Sequence, residues 1–232
     1  LKDPKLVMSP EYAFSVEKLP VFGDMQAAAK KYGVTVPADT LALGWASGMR
    51  LYAVVFLVGG MGALGWIALP PALTVLQHPV VLMASGFMLL VEFFADKVPW
   101  LDSAWDAVHA FIRVPAGALL AAGVFGADNA SMAVAAGLLG GTLSATALAT
   151  KMTARAAANT SPEPFSNWGL SFLEDGLVVA TVWLATQHPL AFGVALVLAL
   201  AVSALLLVIL FKFLRAVLRR VSSLFSASAK VA

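Results

Sequence analysis

From Leu41 to Phe211 the chain alternates long apolar blocks with short polar breaks, and that alternation restricts it to one class of structure. A helix that crosses a bilayer needs about 20 mostly apolar residues at ~1.5 Å each. Six blocks approach that length, at 43–68, 79–97, 107–127, 131–151, 166–186 and 189–211. The breaks hold Pro70-Pro71 with Gln77-His78-Pro79, then Lys97 to Arg113, Asp128-Asn129, Lys151 to Pro164, and Gln187-His188-Pro189. Backbone in lipid must satisfy its own hydrogen bonds, so the expected fold is all-α. It is a polytopic integral membrane protein with six transmembrane helices. Only 12% of the residues are charged, about half the share of a typical soluble domain, so most of the surface is expected to face lipid.

The same composition excludes several functions. A formal net charge of +2 with no basic run gives nucleic acid nothing to bind. The absence of cysteine removes disulfides, thiolate metal sites, iron–sulfur clusters and thiol nucleophiles. The opening LKDPKLVMSPEY has no signal-peptide pattern, and it does not begin with Met, which leaves room for residues upstream. Residues 1–40 read as a polar, interface-hugging extension punctuated by Pro4, Pro10, Pro20 and Pro37. A short helix is expected at 24–32, capped by Asp24 and stopped by Gly33. Residues 41–211 form the membrane domain and 212–232 a basic tail.

Lysine and arginine orient the spans. They fall before block one, between blocks two and three, after block four and after block six. The other three connections contain none. Both termini are therefore expected on the cytoplasmic side of a bacterial inner membrane. Block three is short: Val114 to Ala127 covers only ~21 Å of a ~30 Å core, so its helix must begin near Ala107, with Pro115 a candidate kink. Gly44 and Gly48 open block one and Gly137 and Gly141 lie in block four, both with small-xxx-small spacing. With an acid motif in blocks two and five, this spacing raises two inverted three-helix halves as one arrangement. The few identities and unequal spacings leave it open.

Charges inside the blocks mark the candidate site. An acid at a membrane helix centre costs roughly 2.5–3.5 kcal/mol on insertion scales and usually faces protein, a partner or water. FMLLVEFFAD carries Glu92 and Asp96 four apart on one face, and LSFLEDGLV carries Glu174 and Asp175 about 100° apart. The expected topology puts these acids in the cytoplasmic half with Arg50 and Arg113, in a layer that Lys151 and Arg155 join. One reading is a polar cavity for a cation, a proton or a zwitterion, with Glu92 and Glu174 as ligands and Arg50 or Arg113 as countercharge. The other is structural ion pairing of Glu92, Glu174 and Arg50, with Asp96 and Lys97 in the headgroups.

Other polar features have plainer readings. Asp102, Asp106, His109 and Arg113 form one stripe of an amphipathic segment, with Trp105, Val108 and Ile112 on the other side. The stripe fits a solvated interfacial helix, capped by Asp102 or Ser103 and anchored by Trp105, better than a metal pair at Asp106 and His109. Asn159 to Asn167 reads as a rigid turn around Glu163 that ends in a helix cap at Ser166 or Asn167. His78 and His188 each sit in Gln-His-Pro at an expected helix start. No zinc-protease motif, nucleophile elbow or phosphate loop occurs, and no cofactor is expected.

Several segments together resemble a family of bacterial membrane proteins. They are Ala42-Leu-Gly-Trp-Ala-Ser-Gly-Met-Arg-Leu-Tyr-Ala53, the long stretch from Val91 to Gly117 (VEFFADKVPWLDSAWDAVHAFIRVPAG), Ala149-Thr-Lys151, Asn159-Thr-Ser-Pro-Glu-Pro164 and Leu173-Glu-Asp175. The family is known as domain of unknown function 4126, and the likeness covers about residues 41–211. It implies a bacterial polytopic membrane protein and no particular activity.

The functional expectation is a small permease or channel for an ion or small polar solute. Its alternatives are an accessory or scaffold subunit of a membrane complex, and a membrane enzyme acting on lipid head groups through Asp102, Asp106, His109 and Glu163. The bilayer is the expected partner, alone or with a second copy or a complex subunit.

Overall fold

The computed structural model describes residues 37–98, 100–160 and 165–228; for residues 128, 213, 214, 216–218 and 220–228 it describes backbone only. The expected helix at 24–32, the extension up to residue 36 and the turn around Glu163 lie outside the described residues. Every described element is helical. In chain order these are α1 (Ala38–Ala63), a 3-10 turn (Pro71–Gln77), α2 (Pro79–Ala95), α3 (Leu101–Gly123), a 3-10 turn (Ala127–Asn129), α4 (Ala130–Ala158), α5 (Phe165–Gln187) and α6 (Pro189–Ser228). Each apolar block after the first therefore becomes one helix.

Local chemistry sets the helix ends. His78 precedes Pro79 and caps α2, its Nδ1 accepting from the Val80 amide at 3.3 Å; the first Gln-His-Pro is a helix start, as expected. Asn129 caps α4 through Met132 N–H at 3.3 Å. The expected cap at Asp102 or Ser103 is not formed, because α3 already begins at Leu101 after Trp100, whose φ of 69° turns the chain in. α5 is described from Phe165, next to residues outside those described, so the expected cap at Ser166 or Asn167 falls at that edge. α3 runs unbroken through Pro115, so the interfacial segment and block three are one helix. Residues 212–228 prolong α6, giving it 40 residues.

By length and hydropathy α1, α4, α5 and residues Pro189–Lys212 of α6 could each cross a membrane, and the first 3-10 turn with α2, bent by 66°, makes a fifth candidate. These apolar helices make the chain a helical membrane protein.

Block one departs from expectation. α1 breaks at Arg50, which has φ −147° and ψ 87°. In a straight helix Asp39 and Val58 would stand ~28 Å apart. Instead Asp39, Ala42 and Leu43 line the same cavity, of about 80 Å³, as Val58, Ile67 and Leu69. The chain therefore doubles back at Arg50. Its two arms, residues 38–49 and 51–63, form a hairpin with both open ends at one level, beside Val124 after α3 and Thr186 near the end of α5. α1 is not a through-going helix.

Glycines hold the hairpin in place. A Cβ on Gly44 would lie 2.6 Å from Gly140 Cα, and one on Gly48 would collide with the Ser144 backbone. The first arm thus runs beside α4 in the same direction, backbone against backbone. The Gly44/Gly48 motif thus packs on Gly140 and Ser144, whereas Gly137 and Gly141 face Ala118 of α3. On the other arm, Gly59 meets the Leu76 carbonyl and the Leu82 side chain. The tip is buried with Trp45, Met49, Leu51 and Val54 around it. α6 is mostly exposed along its apolar length, with Val194, Leu198, Val202, Leu205 and Ile209 outward and Phe192, Leu196 and Ser203 inward, the pattern of a helix on the lipid side.

Candidate functional site: a buried charge cluster at the hairpin tip

The ends of α2 and α4 and the starts of α3 and α5 meet on one face of the molecule. Beneath that face lie ten ionisable side chains: Arg50, Glu92, Asp96, Asp102, Asp106, Arg113, Lys151, Arg155, Glu174 and Asp175. The first eight are at most 1% exposed and Glu174 is 3% exposed. All six expected site residues are in this one cluster.

The stripe expected to be solvated is buried too. Asp102, Asp106 and Arg113 are fully buried and His109 nearly so, while Val108 and Ile112 face outward. The amphipathic pattern of α3 is inverted relative to a solvated helix on a protein surface, with its polar side packed against protein and its apolar side turned outward. Asp96, expected nearer the headgroups, is fully buried as well.

Each base is matched to acids from other helices. Arg50 at the tip reaches Asp96 at 2.8 Å, Asp175 at 2.9 Å and Glu174 at 3.7 Å, and it donates to Ser171 Oγ at 2.8 Å. Arg113 pairs with Glu92 at 2.5 Å and Asp106 at 2.6 Å. Arg155 grips Glu174 with two hydrogen bonds, of 3.0 and 2.7 Å, and donates to the Asp96 carbonyl at 2.6 Å. Lys151 lies at the centre, its Nζ within 3.6 Å of Glu92, Asp96, Asp106 and Glu174. Glu92 and Glu174, in separate blocks of the chain, share this one ammonium.

Charge continues outward on two sides. Asn159 donates to Asp102 at 3.0 Å and accepts from Asn167 at 2.7 Å, which ties α4 to the starts of α3 and α5. His109 stacks on Trp105 with ring centroids 4.1 Å apart and meets Tyr52 edge-on. Asp175 is the half-buried member, its side chain 31% exposed. Lys97 sits 3.0 Å over the Phe93 ring. Past the end of α2, burial alone would raise the Asp96 carboxyl, but Lys151, Arg50 and Arg155 outweigh it and hold it below its ordinary value. Burial and Arg50 lower the Lys97 ammonium.

Lys151 and Arg155 hold the cluster together, yet as a pair near the end of an apolar block they read as topology markers. Their four-residue spacing, which puts both on one face of α4, was the available signal. Asn159, Asn167 and Ser171 carry no comparable signal. Among the described residues no group of three or more acids or histidines is arranged to hold a metal ion.

The fold and cluster define a helical membrane protein with a buried ionic centre at the tip of a broken helix. The family model for Domain of unknown function (DUF4126) matches residues 38–209, and the chain belongs to that family. No curated protein and no solved structure matches it.

Proposed function

We propose that the protein is a small permease for a monovalent cation or a cation-coupled polar solute, with the charge cluster as its site. The observation that carries this reading is a charge count at the hairpin tip. Five fully or nearly fully buried carboxylates (Glu92, Asp96, Asp102, Asp106, Glu174) face four buried lysine and arginine side chains (Arg50, Arg113, Lys151, Arg155). Buried ion pairs are commonly no more stabilising than well-packed apolar side chains, and each ionised group adds an insertion cost. A surplus buried carboxylate is more costly still unless a cation or proton neutralises it. A helix that turns back inside the membrane is tolerated where it lines a protein site, as in transporters with broken helices.

In this reading α2 to α6 are five spans and α1 is a re-entrant hairpin, in place of six spans. The charged face is cytoplasmic by the lysines and arginines on it, with Lys212 and Arg215 beyond. The C-terminus is then cytoplasmic, and Pro37 starts from the opposite face of a bacterial inner membrane. This departs from the expectation that both termini share the cytoplasmic side.

A second reading, a non-transporting subunit of a membrane complex, is favoured by the completeness of the pairing, since all four buried bases contact acids. Purified protein in liposomes separates the two. A permease gives pH-dependent flux across a panel of cations and amino acids, and Glu92→Gln with Glu174→Gln removes it. Identical flux in wild type and variant defeats the proposal.

A further inference from the structure

We infer that the centre of the cluster is a binding site for an ammonium-sized monovalent cation, filled here by the protein's own Lys151. Five oxygens surround Lys151 Nζ: Glu92 Oε1 at 3.6 Å, Asp96 Oδ2 at 3.5 Å, Asp106 Oδ1 at 3.0 Å, Glu174 Oε2 at 3.5 Å and the Met49 carbonyl at 3.4 Å. They come from α1, α2 and its end, α3 and α5. Each of the four carboxylate oxygens is also held by an arginine, Arg113, Arg50 or Arg155, so Lys151 is the second cation on every one of them. Independently, three of these carboxylates keep their second oxygen buried without a hydrogen-bond partner: Glu92 Oε2, Asp96 Oδ1 and Asp106 Oδ2. Buried acceptors of that kind are costly unless a positive group is near them.

Size selects the ligand class. Oxygens around magnesium lie at about 2.0–2.1 Å and around calcium at about 2.3–2.6 Å. Here they stand 3.0 to 3.6 Å from the central nitrogen, too wide for either divalent ion. Ammonium or a protonated primary amine suits the cage. Lys151 is a tethered version of that ligand. In the permease reading, on which the role of the site rests, the lysine withdraws as the transported cation enters, so the buried acids keep a counter-ion throughout.

The test uses full-length Lys151→Met protein in detergent, with thermal unfolding followed in ammonium, potassium, sodium or choline salts at constant ionic strength. The expected result is a saturable rise of several degrees in Tm with ammonium, none with choline, and no such rise in wild type. Lys151→Met/Glu92→Gln removes one acid along with the base and holds the fold if the single variant does not. It is expected to respond to ammonium with roughly tenfold weaker affinity. If neither variant distinguishes ammonium from choline, the site is refuted. The liposome assay is independent: rescue with no wild-type flux keeps the site and removes the permease, whereas flux with no rescue does the reverse.

Discussion

Arg155 holds Glu174 by both carboxylate oxygens, Nε to Oε1 at 3.0 Å and Nη2 to Oε2 at 2.7 Å, across the gap between α4 and α5. Such a fork is stronger and more directional than a single contact. It fastens the end of one helix to the first half of the next.

Glu174→Gln leaves Arg155 and Lys151 short of a buried partner, and breaking a buried pair costs about 3–5 kcal/mol. A marked fall in Tm is expected in detergent. Arg155→Lys keeps the charge and loses the fork, so its fall should be smaller but measurable. A Glu174→Gln protein as stable as wild type would show that the pair does not hold these helices.

At Gly48 a single methyl is expected to separate packing from propensity. Gly48→Ala drives a Cβ into the Ser144 backbone, which cannot move aside as a side chain could. Overpacking of this kind costs typically about 1–3 kcal/mol. Gly60, with nothing within 4 Å of its would-be Cβ, is the control. Gly60→Ala should be neutral or stabilising by roughly 0.5–1 kcal/mol, since glycine weakens a helix. Comparing the two unfolding midpoints checks the contact between the first arm and α4.

The hairpin is testable by accessibility, because the chain has no native cysteine. Asp39→Cys, Thr74→Cys and His188→Cys should react with an impermeant maleimide from one side of sealed vesicles, and Thr160→Cys from the other. Reaction of Asp39→Cys together with Thr160→Cys would mean that α1 crosses the membrane after all.

Acid should loosen the cluster in a definite direction. The folded Asp96 carboxyl is held below its ordinary value by Lys151, Arg50 and Arg155, against the pull of burial. Its contribution is therefore complete above the unfolded pKa of about 3.9 and is lost as pH falls through the lower folded value. Wild-type stability should drop below about pH 4. Asp96→Asn should begin lower at neutral pH and change less over that range. Parallel curves for the two proteins would remove Asp96 from the acid response.

Much of this was legible in the order of residues. Helix positions followed from apolar block length, because lipid admits little other than self-satisfied backbone. The gathering of Glu92, Glu174 and Arg113 on one side followed from counting residues inward from the lysine- and arginine-bearing breaks, whereas Arg50 reaches that side because α1 turns back there. Two readings failed for related reasons. The stripe Asp102, Asp106, His109 and Arg113 has the spacing of an amphipathic helix, but spacing does not say whether the polar side meets water or other charges. Lys151 and Arg155 of α4, with Glu92 of α2, pair that face inward. Arg50 likewise looks like one charge in a long apolar run, and the run is long enough to span.

By itself, then, the sequence determined an all-helical membrane protein and where its charges lie along each helix, since both depend on local composition and a fixed rise per residue. The tertiary structure decided that α1 reverses at Arg50, that Gly44 meets Gly140, and that Lys151 lies among four carboxylates. Those outcomes depend on contacts between residues as far apart as Arg50 and Asp175, where close backbone packing and charge pairing outweigh the tendency of an apolar stretch to run straight through.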